Sequence, residues 1–128
     1  MLGFGNQWYP AAIHQAQERK VGRLTIRVVT APYFLATKLE AFDGRGKGDY
    51  QASHDLEDLV AVIDGRPEVV DEVAAAPKAL RKYLAKRLGA LLDEPLFREA
   101  LPGHLPGDAI SQKRVPVVLD RIRKMAGR

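Results

Sequence analysis

Between Lys38 and Asp58 the sequence gathers side chains able to bind phosphate and a divalent metal: Lys38, Arg45, Lys47, Asp49, Asp55 and Asp58. A lysine offers a point charge with three donors and an arginine a flat fork matching two oxygens, so Lys38, Arg45 and Lys47 are candidate phosphate ligands. Asp55 and Asp58 lie three residues apart in a segment that reads as helix, which makes them surface neighbours. Carboxylates that close repel unless a cation, a basic partner or open water intervenes. A Mg²⁺ ion takes few carboxylates together with waters and substrate phosphates, so Asp55 and Asp58 are compatible with a Mg²⁺ site. The same residues have a plainer reading. Lys38 can extend past its own methylenes to water, Asp55 can serve the first turn of a helix, and Asp49 or Asp58 can pair with Arg45, Lys47 or Lys38. His14, His54 and His104 are scattered, with no second histidine at metal-ligand spacing. No GxxxxGK[ST], GxGxxG or HExxH pattern occurs, and Gly44, Gly46 and Gly48 follow no strand, so they are not a dinucleotide fingerprint.

The elements that must position these groups are mostly helical. Pro10 to Val21 is predicted as a first helix, with Pro10 at a position where its missing N–H is harmless. Leu24 to Val29 is rich in β-branched residues and reads as a strand. Tyr33 to Asp43 is a helix with Leu35, Leu39 and Phe42 on one stripe, ended by the glycine-rich loop Asp43 to Tyr50. Ser53 is the predicted N-cap of a helix whose buried stripe is Leu56, Leu59, Val60 and Ile63. After Asp64-Gly65, a helix beginning at Arg66-Pro67-Glu68 buries Val69, Val70 and Val73. From Pro77 to about Leu92, Leu80, Leu84, Leu88 and Leu91 face inward, while Lys78, Lys82 and Lys86 share a face at four-residue steps. A short helix over 96–101, a Pro/Gly loop and a helical tail over 110–125, kinked or restarted at Pro116, complete the chain. The fold class expected is α+β, mainly α-helical, in a single domain over 1–128 with a strand-containing start (1–30) and a helical remainder (31–128). A lone strand leaves unpaired backbone donors and acceptors, so a second strand is expected in the first nine residues or from another chain.

The composition is that of an ordinary globular domain: 128 residues, 46% hydrophobic and 28% charged, with no cysteine. Disulfide scaffolds, cysteine nucleophiles and thiolate zinc sites are therefore excluded. No apolar run approaches the ~20 residues of a membrane helix, and the first ten residues lack a basic then apolar leader, so a cytoplasmic location is expected. The net charge of +4 hides a segregation. Seven acids and one base lie between Ser53 and Glu72, five bases and no acid between Pro77 and Leu88, and six bases against Asp120 in the last eighteen residues. Such blocks are compatible with a metal site beside a phosphate-binding surface, with Lys82 and Lys86 as nucleic-acid ligands, and equally with solvated helix faces paired to one another.

Ala36-Thr37-Lys38-Leu39-Glu40-Ala41-Phe42, followed by Ser53-His54-Asp55-Leu56-Glu57-Asp58-Leu59, resembles the second half of AbiEii/AbiGii-type nucleotidyltransferase toxins. The likeness places Lys38 on that family's lysine helix, Arg45 and Asp49 in its arginine-bearing turn, and Asp55 and Asp58 in its acidic segment. It implies Lys38, Asp49, Asp55 and Asp58 as the catalytic set, Mg²⁺ on Asp55 and Asp58, a nucleoside triphosphate as donor, and tRNA or another RNA as acceptor. An antitoxin partner is also implied. Family members hold Mg²⁺ through a Gly-Ser turn and an Asp-x-Asp pair, whose chemical use is to neutralise the triphosphate and align the attacking hydroxyl. This sequence has neither a Gly-Ser dipeptide nor an Asp-x-Asp. The expectation is thus a transferase-like domain completed by a complementary N-terminal half or a second copy joined through the strand edge, or a non-catalytic nucleotide- or RNA-binding remnant. The alternative is a small helical nucleic-acid- or protein-binding module without catalysis.

Overall fold

The computed structural model describes residues 6–46 and 48–128. The fold is α+β and mainly helical. Helix α1 (Tyr9–His14) leads into an antiparallel hairpin of β1 (Gln17–Val21) and β2 (Leu24–Val28). Next come α2 (Ala31–Ala41), a π-helical turn (Phe42–Gly46), α3 (His54–Gly65), α4 (Val69–Ala74) and α5 (Lys78–Asp93). The chain ends through α6 (Pro95–Ala100), a 3-10 turn (Leu101–His104), α7 (Ala109–Gln112) and α8 (Val115–Met125).

The expected first helix is corrected: it stops at His14, and Gln17–Val21 is a strand. Glu18, Arg19 and Lys20 suit a helix in isolation, but propensity is a weak preference that pairing overrides. Gly22, at φ +63°, lets the chain reverse after Val21, so that Gln17 pairs with Val28 and Val21 with Leu24. The strand expected from the first nine residues or from another chain is instead Gln17–Val21, which pairs with Leu24–Val28. The glycine-rich segment is corrected as well. Helical winding continues through Gly44 to Gly46 as a wider turn rather than ending at Asp43.

The core forms where α2, α3, α5 and α8 pack together. Leu35 and Leu39 of α2, Leu56, Leu59, Val60 and Ile63 of α3, Leu84 and Leu88 of α5, and Val118 and Ile122 of α8 have no exposed surface. These are the stripes that 3.6-residue periodicity lays on one side of each helix. Ser53 caps α3, its Oγ accepting the Leu56 N–H at 3.1 Å. Pro116 stands in the first turn of α8, where it restarts the helix after the break at Lys113-Arg114. Among the described residues no helix is long and apolar enough to cross a membrane.

Candidate functional site

The packing of α2 on α3 brings four of the singled-out residues together. Lys38 lies one turn before the end of α2, and the Ser53 cap sets Asp55 in the first turn of α3. The π-helical turn swings Arg45 off the α2 axis and back toward α3. Asp55, only 5% exposed, is the hub. Arg45 grips it with both prongs, Nε to Oδ2 at 3.0 Å and Nη2 to Oδ1 at 2.9 Å. The Lys38 ammonium stands 2.8 Å from Asp58 Oδ2 and 3.6 Å from Asp55 Oδ1, over the Phe34 ring at 5.4 Å from its centre.

The electrostatics follow from that geometry. The Arg45 hydrogen bonds hold the Asp55 carboxyl below its ordinary range, against the opposing pull of burial, with the charges of Arg45 and Lys38 adding to the effect. Burial pulls the Lys38 ammonium down, but hydrogen bonding to Asp58 and the charges of Asp58 and Asp55 outweigh it and leave Lys38 above its ordinary value. Both cations stay reachable: the Lys38 side chain is 24% exposed and that of Arg45 61%. An anion arriving from solvent meets a charge-balanced cluster of two cations and two carboxylates, of which Arg45 is the most exposed member.

Other expected site residues lie apart from this hub. Asp49 Oδ1 accepts the Ala52 N–H at 3.0 Å and so braces the turn entered at Gly48, whose φ of +80° favours glycine. Asp49 does line, with Arg45, Ser53, His54 and Asp55, a shallow cavity of about 290 Å³ at the start of α3. Lys47 lies outside the described residues. Lys82 and Lys86 are on the solvent side of α5, and Lys82 borders a separate groove with Arg81 and Lys124. His54 is exposed, 3.7 Å from Glu57, while His104 is buried with Nε2 2.6 Å from the Tyr50 carbonyl oxygen. No cluster of three metal-ligating side chains occurs among the described residues. Asp55 and Asp58 are each held by a cation, and Lys38 and Arg45 balance their two negative charges, so these residues by themselves do not fit a divalent ion.

A second cavity, about 260 Å³, opens on the other side of Arg45 and is lined by Asn6, Tyr9, Glu40, Ala41, Asp43 and Gly44 as well. Its residues carry no spacing signal, because α1 and α2 meet there only through the fold. Tyr83 of α5 reaches across to donate its hydroxyl to Glu40 Oε2 at 2.9 Å, and burial with that carboxylate pushes the phenol well above its ordinary value. Trp8 stacks obliquely on Tyr83, with ring centres 5.1 Å apart. Comparison of the chain with protein-family models, with curated proteins and with solved structures found no match.

Proposed function

We propose that the chain is a nucleotidyltransferase-like domain of the AbiEii type that binds the phosphates of a nucleoside triphosphate at Lys38 and Arg45. The observation that carries this reading is the convergence of two solvent-reachable cations on the buried Asp55, with open cavities on both sides of Arg45. Asp55 holds the two cations close together in spite of their repulsion, and Asp58 shares the load on Lys38. An incoming phosphate meets the Arg45 N–H groups that Asp55 leaves free, on Nη1 and the outer side of Nη2, while Lys38 supplies the second charge. With no Asp-x-Asp in the sequence and no three-ligand metal cluster among the described residues, the carboxylates needed for transfer come from a different segment or chain. RNA as acceptor and an antitoxin as partner belong to the same reading.

Calorimetric titration of the chain with inorganic tripolyphosphate tests the site. Binding that is lost in both Arg45→Ala and Lys38→Ala, with helical content retained, supports it. Ion pairs that only brace α2 against α3 give no binding in the parent chain. Incubation with labelled triphosphates, Mg²⁺ and total tRNA tests the second half of the reading. Robust transfer by the lone chain overturns the need for carboxylates from elsewhere.

One observation favours a nucleic-acid-binding reading beside it. Lys78, Lys82 and Lys86 form an exposed row on α5 with no carboxylate partner among the described residues. A backbone-tracking surface of this kind weakens steeply with salt. Lys82→Glu combined with Lys86→Glu abolishes RNA retention if this face carries it, and unchanged retention removes the face from consideration.

A further inference from the structure

The geometry points to the cavity between α1 and the π-helical turn as a nucleobase site, taking a base with an exocyclic amino group, stacked on Tyr9 and read by Glu40. This inference rests on the phosphate-binding reading of Lys38 and Arg45. At about 260 Å³ the cavity lies below the ~300–1,000 Å³ of sites for drug-sized ligands, which suits one base and part of a sugar rather than a whole triphosphate. Tyr9, 47% exposed, lines it, and a base on an aromatic face needs no particular sequence identity to gain from stacking.

Selectivity comes from which polar atoms of the wall are already committed. Asn6 donates to the Thr37 carbonyl at 2.8 Å and accepts the Trp8 N–H at 3.1 Å. Both oxygens of Asp43 are clamped by Arg87. Glu40 differs: Gln7 Nε2 at 3.2 Å and the Tyr83 hydroxyl at 2.9 Å both donate to Oε2, and Oε1 receives no hydrogen bond from the described residues. The two donors hold the carboxylate in place with one oxygen free, and a carboxylate can only accept. An amino group on adenine, cytosine or guanine satisfies it, whereas uracil offers only its N3–H, flanked by two carbonyl oxygens that the carboxylate repels. The same charge orients the ligand. Phosphates are repelled from the Glu40 end and drawn past Arg45, which borders both this cavity and the one at the start of α3.

The test is titration of the full chain with the magnesium salts of ATP, CTP, GTP and UTP and with tripolyphosphate. At least one amino-bearing triphosphate binds roughly tenfold more tightly than both UTP and tripolyphosphate, the size of one stacked and hydrogen-bonded base. Glu40→Gln brings that ratio to UTP close to one, and Tyr9→Leu weakens the preferred triphosphate roughly tenfold, while neither changes tripolyphosphate affinity. A merely structural role for Glu40 weakens all ligands together and overturns the inference. So do four triphosphates that bind no more tightly than tripolyphosphate, an outcome that leaves the phosphate site standing. Absence of any binding, tripolyphosphate included, overturns both.

Discussion

All ten strand residues of the β1–β2 hairpin are exposed, whereas in the α2–α3–α5–α8 body Leu35, Leu59, Leu84 and Ile122 have no exposed surface at all. The hairpin is nevertheless patterned. Its register puts Val21, Leu24, Ile26 and Val28 on one face with Gln17 and Arg19, and Glu18, Lys20, Thr25 and Arg27 on the other. Leu24, at 68% exposure, stands at the tip of an apolar face that the body does not cover. The hairpin's tie to the rest includes Arg27, which donates to the carbonyl oxygens of Ile13, His14 and Ala16 at the end of α1. The difference teaches that here amphipathic patterning and burial are separate events: the helices convert their stripes into a core, and the hairpin does not.

The comparison can be broken first in the body. Phe97, fully buried on α6, truncated to alanine lowers unfolding free energy by about 3–5 kcal/mol, read by urea denaturation. A loss under about 1 kcal/mol means that the cluster collapses around the gap and the body is not the close-packed unit described. Next is the polar hub. Asp55→Asn leaves Arg45 without its carboxylate and Lys38 with Asp58 alone, and costs about 2–4 kcal/mol because a half-buried ionic cluster loses its central charge.

The pH dependence of that hub is smaller and has a fixed sign. Arg45 lowers the Asp55 carboxyl in the folded chain, so the unfolded chain binds the proton more readily. The stability from this group is present above about pH 4 and is lost as pH falls through the folded-state value. Thermal melts at stepped pH show a steeper acid limb for the parent chain than for Asp55→Asn, and parallel limbs refute the assignment. Glu72, lowered in the same direction by Arg66 but on the surface, gives a shallower change in Glu72→Gln. The smallest effect is expected in the hairpin. Leu24→Ser or Ile26→Ser alters stability by less than about 0.5 kcal/mol, the range of surface substitutions. A loss above about 1.5 kcal/mol shows that the apolar face is covered in solution and erases the contrast with the body.

Much of the helical body is legible in the residues because its signals are local. Leu80, Leu84, Leu88 and Leu91 recur at helical spacing and are buried as that spacing demands, and Ser53 caps where a hydroxyl precedes an apolar run. β1 was not legible, since nothing within Gln17–Val21 outweighs its helix formers until Leu24–Val28 is alongside. The polar site divides in the same way. Lys38, Arg45, Asp55 and Asp58 are recognisable by type and spacing, but the order of importance among the carboxylates is not. Asp55 is buried and doubly gripped, Asp58 is half exposed, and Asp49 braces a turn.

By itself, then, the sequence determined which stretches wind into helices, which side of each is apolar, and which charged residues are close enough along the chain to meet. Periodicity, capping and composition act over a few residues and need no partner. Only the tertiary structure decided that Arg45 grips Asp55 across ten residues, that Tyr83 and Gln7 fix the same oxygen of Glu40, and that α1 closes a cavity over the π-helical turn. Each of these depends on contacts between segments distant in sequence, and such contacts exist only after the core has set the segments side by side.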